Sequence, residues 1–403
     1  MLAALTSGSF VTRQRMRVYS LLLVASYVAA LIALLATAHG IVDAAGRPIG
    51  TDFANVYAAG ELVLAGEPGL AYDWSAHHAM QKRVSGREDI GYYPWLYPPA
   101  FLLVAAALAV LPYLGALFVY QIATLAACLA VVRRIAGRPE AWLLALAFPG
   151  VFVNVTHGHN GFITAALLGG ALLVLDRRPL LAGALLGCLA YKPQFGLLVP
   201  LVLAVTGRWR AISAAATTVL AITGLTWAAL GADVFVAFWR SLPMAQRVIL
   251  EGAPGFYKIQ SVYAALRQLG VPGTLANAVQ MATTLGVAAV LVVLWRSTAA
   301  FELKAAALLI GCVLATPYAL DYDLVVLAPV IAFLAAHGLR RGFAPCEVTL
   351  LVVFWVLPLI ARPMAELTAV SLTPLVLLLA LGLVLHRAGI ARGAIALVAH
   401  RVQ

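Results

Sequence analysis

Charge is scarce in this sequence: only 11% of its 403 residues are Asp, Glu, Lys or Arg, and just 16 of them are acids. Soluble domains are about a quarter charged and near half apolar. A chain that is 63% hydrophobic, with mean hydropathy +0.97, is therefore excluded from the ordinary globular class. Cysteine is rare as well. Cys128, Cys188, Cys312 and Cys346 stand far apart, three of them inside apolar runs. No spacing among them matches a metal or redox motif, so they read as small core residues. Short-period repeats and low-complexity tracts are missing too, and residues 1–403 read as one integrated membrane domain.

What is present is hydrophobic length. A spanning helix takes roughly 20 apolar residues, and 18–42 supplies such a run without one formal charge. Further apolar stretches cover 98–132 (broken at Leu111-Pro112), 141–155, 163–175, 180–205, 211–230, 275–294, 303–316, 324–336, 348–360 and 372–385. The expectation is an all-α polytopic membrane protein with about ten to thirteen transmembrane helices. Arginines before the first run, with no convincing cleavage site after it, favour a retained signal-anchor over a cleaved signal peptide.

The net charge of +11 comes mostly from arginines that punctuate these runs: Arg13/Arg15/Arg17, Arg133/Arg134/Arg138, Arg177/Arg178, Arg208/Arg210, Arg340/Arg341 and Arg387/Arg392. That pattern follows the positive-inside rule, and no basic face with interleaved aromatics points to nucleic acid. The loop 43–97 has the opposite balance, −3 in a +11 chain, and belongs outside the cytoplasm. Two short amphipathic helices are expected in it, 53–64 and 74–84, lying at the bilayer interface. A second large external loop covers 231–274. One conflict stands: if 98–132 crosses twice, Arg133, Arg134 and Arg138 fall outside, so either one half is re-entrant or these arginines break the rule.

Counted back from the basic C-terminal end, every unusual polar motif falls on the side of the first loop. "GTDFANVYAAGELVLAGEP" places Asp52 just beyond the first span. Asp is a favoured helix N-cap, but a partly desolvated carboxylate also suits a general base. Lys192, in "YKPQ" between two apolar runs, costs several kcal/mol at bilayer depth unless paired or wet. It either suits a phosphate as a compact point charge or sits at an exposed turn between two short helices. "HGHN" (157–160) does not put two imidazoles on one helical face and has no third ligand. A polar turn, or hydrogen bonds to sugar, is the reading there rather than metal. "TPYALDYDL" sets Asp321 and Asp323 around Tyr322 at a span entry, more acid than capping requires. "YPPAF" (97–101) suits a kinked span entry. In "YKIQSVYAALRQLG" (257–270), Val262, Leu266 and Leu269 have helical spacing opposite Arg267, leaving Lys258, Gln260 and Ser261 to meet a ligand.

Taken in order, "TDFANVYAAGELVLAGEPGLAYD", "YPPAFLLVAAALAVLP", "HGHNGFITAALLGGALLVL", "AGALLGCLAYKPQFGLLVPLVL", "QSVYAALRQLG" and "TPYALDYDLVVLAPVIAFL" resemble glycosyltransferase family 87, from Gly50 to about Leu334. The resemblance implies a GT-C-type integral-membrane fold in a bacterial plasma membrane. It also implies inverting transfer of a hexose, mannose by analogy, from a polyprenyl-phosphate donor to a lipid or glycan acceptor, with no cofactor. Asp52 matches the base position, and Lys192 falls where a cation meets the donor phosphate. The residues expected to line the substrate are Tyr57, Tyr97, His157, His159, Asn160, Lys192, Gln194, Lys258, Gln260, Asp321, Tyr322 and Asp323. One departure is clear: mannosyltransferases of the family often carry a His-His pair after a Ser-Pro-x-Ser-Trp-like run, where this chain has "TPYALDYD". The alternative function is a transporter or flippase of a lipid-linked sugar. A transporter lines its midplane with polar groups reachable from both sides, whereas here they gather on one face.

Overall fold

The computed structural model describes residues 2–390; Arg392, one of the basic punctuation residues, lies outside them. Among the described residues every regular element is helical, and β pairing is limited to isolated bridges such as Ile259–Leu320. Six helices are long and apolar enough to cross a bilayer: Arg13–Ala36, Tyr113–Ala136, Trp209–Leu230, Gly273–Arg296, Asp321–Arg341 and Glu347–Thr368. Shorter apolar helices accompany them: Ala100–Ala109, Gly161–Val174, Pro179–Tyr191, Pro193–Val205 and Leu372–Arg387. By length and composition alone six helices qualify as spans, and ten to thirteen are reached only when the shorter ones count as crossings.

Small side chains decide which helices are central. Between helices in lipid, apolar surface gains nothing by itself, so association depends on close approach of backbones. Helix Phe301–Ala315 is buried continuously from Ala305 to Ala315, a stretch rich in alanine with Gly311 inside it. The peripheral helices differ. Arg13–Ala36 buries only Ser20, and Trp209–Leu230 only Ala211 and Thr226, leaving leucines such as Leu22 and Leu220 exposed where lipid would be.

Ion pairs register the helix ends. Arg208 meets Asp176 at 2.6 Å, Arg340 bonds Glu302 and Arg387 lies 3.6 Å from Glu347, all at the arginine-rich end. The opposite end begins at Tyr113, whose hydroxyl donates to the Ile49 carbonyl at 2.8 Å. The helix starting there ends in Arg133 and Arg134, so 98–132 crosses once. Its first half, Ala100–Ala109, instead packs along the loop helix Thr51–Leu64. Contact is so close at Gly60 that a Cβ would sit 2.2 Å from the Ala105 carbonyl oxygen, and Tyr57 donates to the Leu111 carbonyl at 2.8 Å. Ala100–Ala109 is too short to span a bilayer alone, which agrees with the re-entrant alternative.

The first loop has its two helices, Thr51–Leu64 and Trp74–Ser85. A buried histidine ties them together. Burial pushes the His77 imidazole down to about 4, and its Nε2 lies 3.0 Å from the Asn55 carbonyl. The second loop contains Asp233–Leu250, a 3-10 turn Phe256–Lys258 and Val262–Gln268. Ser261, an expected ligand contact, is instead the N-cap of the last helix, accepting from the Ala264 N–H at 3.1 Å.

Candidate active site

Asp52 stands in the first turn of Thr51–Leu64. The N-cap is Gly50, at φ 69°, and no side chain caps the helix. Leu117 methyls lie 3.1 Å from where a Gly50 Cβ would fall, so neither the backbone angle nor the space admits a larger residue there. The capping explanation for Asp52 therefore fails. The residue is half-buried, its Oδ2 is enclosed, and that atom has no hydrogen-bond partner. Burial pushes the carboxyl up, to about 6. His157 and Lys192 oppose the rise, while Asp321 and Asp323 add to it. Residues far apart in sequence thus surround one carboxylate.

Lys192 occupies the turn between two short helical segments, Pro179–Tyr191 and Pro193–Val205. The turn of the second alternative is there, but its exposure is not. Lys192 is 4% exposed, and its Nζ donates to Asp323 Oδ1 at 2.7 Å. Asp323 Oδ2 accepts the Leu320 N–H at 3.0 Å. A buried lysine without such a partner would be strongly destabilising. Both charges are neutralised by each other, and the ammonium also lies 5.7 Å from the centroid of the Tyr322 ring.

The "HGHN" turn and the "LDYD" segment pack as an aromatic floor. The His159 ring stacks on Tyr322 at 3.5 Å between centroids, and the His157 ring meets the same tyrosine edge-on at 5.6 Å. His159 Nε2 lies 3.2 Å from the Tyr97 hydroxyl. Burial, with Lys192 and His157 nearby, holds the His159 imidazole well below its ordinary range, so it is neutral there. Its Nδ1 has no partner, nor does either side-chain polar atom of Asn160. Trp95 Nε1, Tyr120 Oη and Gln121 Oε1 are likewise buried and unpaired. Trp95 packs against Tyr97 at 5.0 Å, and Gln121 Nε2 donates to the His159 carbonyl at 3.0 Å. Unpaired polar atoms at this density mark a place that awaits a hydroxylated partner or water.

The cations at the rim are Lys258 and Arg362. Arg362 Nη1 donates to Asp321 Oδ2 at 3.1 Å, and its guanidinium lies 5.8 Å from the Tyr257 ring centroid. Lys258 Nζ lies 5.7 Å from the same ring. The sequence reading placed Lys258, Asp321 and Asp323 correctly on one side but overlooked Arg362. The signal was there: a charge in the helix Glu347–Thr368, between Pro358 and Pro363, meets the same expense as Lys192.

Three expected substrate-lining residues are engaged elsewhere or stand apart. Tyr57 packs against Phe53 and Tyr113 and bonds Leu111. Gln260 is 1% exposed, and its Oε1 accepts from Thr373 at 2.6 Å, so it braces the loop against Leu372–Arg387. Gln194 is half-buried beside Lys192. No group of three or more metal-ligating side chains occurs among the described residues.

The fold is that of a polytopic membrane protein, with acidic, histidine and cationic side chains gathered at one end of the bundle. A family model for glycosyltransferase family 87 matches residues 95–317, over half of the chain, and the chain belongs to that family of GT-C membrane enzymes. No curated protein and no solved structure matches it. Asp52, Asp321, Asp323 and Arg362 lie outside the matched stretch, so their grouping with His157, Lys192 and Lys258 rests on the fold.

Proposed function

We propose that this glycosyltransferase moves a hexosyl group, mannosyl by family resemblance, from a polyprenyl-phosphate donor to a hydroxyl of a lipid or glycan acceptor. The reaction takes place at the end opposite the arginines, the extracytoplasmic face of a bacterial plasma membrane by the positive-inside rule. The observation that carries this reading is Asp52: a carboxylate with an unpaired, enclosed oxygen, pushed up to about 6 chiefly by burial. An acceptor of that basicity is suited to take a proton from a hydroxyl near neutral pH.

The step inverts the anomeric carbon. The acceptor oxygen attacks C1 from the face opposite the phosphate while Asp52 takes its proton. The C1–O bond to phosphate breaks, and its electron pair leaves on the phosphate oxygen. His157, His159, Asn160, Tyr97 and Tyr322 supply hydrogen bonds and a ring face to the sugar, and the bilayer supplies the prenyl chain's surroundings. Purified Asp52→Asn protein in lipid nanodiscs is expected to lose transfer by about a hundredfold or more while still binding donor. Full activity in that variant would remove Asp52 as base. Movement of a lipid-linked sugar across proteoliposomes, with no new glycosidic bond, would replace the enzyme reading by transport.

A further inference from the structure

We infer that Lys258 and Arg362 together form the binding site for the lipid-borne phosphate, and that Lys192 does not. This rests on the transfer reaction proposed above and names the groups that receive its leaving phosphate. Lys192 is nine-tenths buried and its charge is already matched: its ammonium bonds Asp323 at 2.7 Å. A phosphate bonding the same ammonium would set a second anion beside the buried Asp323 carboxylate with one cation between them, which makes Lys192 a poor anchor.

Lys258 and Arg362 are arranged in the opposite way. They come from different elements, the Phe256–Lys258 turn and the helix Glu347–Thr368, yet both stand over the ring of Tyr257, at 5.7 and 5.8 Å. Lys258 is half-buried and makes no salt bridge among the described residues, whereas Arg362 has one, to Asp321 at 3.1 Å. Burial pushes the Lys258 ammonium down, and the Arg362 guanidinium beside it pushes further, while Asp321 and Asp52 counteract. Two cations beside one tyrosine, one with a single acid in salt-bridge contact and the other with none, keep N–H donors free for an anion. A phosphate monoester supplies negative charge and enough acceptor oxygens for a lysine and a guanidinium together. Asp52 is among the acids whose charge is felt at Lys258, and Arg362 is bonded to Asp321, one of the acids acting on Asp52. As the C1–O bond breaks, the electron pair collects on the phosphate oxygen, and these cations stabilise it there.

The test is binding, measured on the full chain in nanodiscs with farnesyl phosphate and farnesol as probes. Wild-type protein is expected to prefer the phosphate. Lys258→Gln, which strands no acid, is expected to weaken farnesyl phosphate roughly tenfold and leave farnesol unchanged. Arg362→Gln should do the same, with Lys258→Arg and Arg362→Lys retaining most of the affinity; thermal unfolding of each variant reports folding. Unchanged affinity in a folded Lys258→Gln protein overturns the site. Inorganic phosphate should compete weakly; full displacement at matched concentration would reassign the site to free phosphate and overturn the lipid assignment. The two proposals fail separately. Phosphate binding through these cations without sugar transfer removes the reaction and keeps the site, whereas transfer with undiminished binding in both Gln variants keeps the reaction and removes the site.

Discussion

At the arginine-rich end three ion pairs join different helices or their ends: Arg208 with Asp176, Arg340 with Glu302, Arg387 with Glu347. At the other end, Asp52 keeps an enclosed oxygen without a partner, and Lys258 makes no salt bridge among the described residues. Between these extremes lies Lys192, buried yet matched in charge by Asp323. Pairing at the arginine-rich end serves registration, since opposite charges at helix ends fix which ends are neighbours. Buried atoms without a partner occur at both ends, Arg208 Nε, Arg387 Nε and Glu347 Oε1 among them; what distinguishes the other end is an acid raised by burial near histidines and cations drawn from distant segments.

The comparison can be broken or sharpened by substitution. The largest expected effect on stability is at Lys192. Lys192→Met should destabilise the protein by about 3–5 kcal/mol, because Asp323 is left charged and buried, and thermal unfolding in detergent reads this out. Adding Asp323→Asn, which keeps an acceptor for the Leu320 N–H, should restore most of the loss. A single variant that melts like wild type would show that this pair belongs with the unpaired rim charges.

Next comes pH. The general-base reading needs Asp52 ionised, and its carboxyl is raised from 3.8 to about 6. Transfer is therefore expected to decline as pH falls through about 6 and approach tenfold per pH unit below it. A carboxylate at its ordinary value would remain ionised there, so a flat initial-rate profile between about pH 5 and 7 contradicts the role. Stability responds in the opposite direction. Raising a carboxyl means the folded state binds the proton more tightly, so ionising Asp52 costs stability, a cost absent below the ordinary carboxylate range and complete above about 6.

The smallest effect belongs to the arginine-rich end. The Arg340 side chain is 58% exposed, and Arg340→Gln should change stability by no more than about 1 kcal/mol and leave transfer rates intact. A large loss of transfer would mean that the two ends are coupled.

Much of the site was legible in the residue order. Asp52, His157, Lys192, Lys258 and the Asp321-Tyr322-Asp323 run all stand out because ionisable groups are rare in this chain and expensive in lipid. The same reasoning missed Arg362, whose pairing with Asp321 depends on a helix that meets the site only when folded. It overassigned Tyr57 and Gln260, since a tyrosine or glutamine beside a motif does not reveal whether its polar atom faces a ligand or a neighbouring carbonyl. Gln260 bonds Thr373, 113 residues away, and no local pattern announces such a partner.

By itself the sequence determined the hydrophobic lengths, the sidedness of its polar motifs and the family, because span hydropathy and arginine placement are local quantities. Only the tertiary structure decided that Ala100–Ala109 folds back along the first loop, that Lys192 is committed to Asp323, and that Lys258 and Arg362 share one tyrosine. Each of these depends on which helix lies beside which. In lipid that choice is made by close backbone packing and by matching buried charges, interactions between distant segments that the order of residues along the chain does not display.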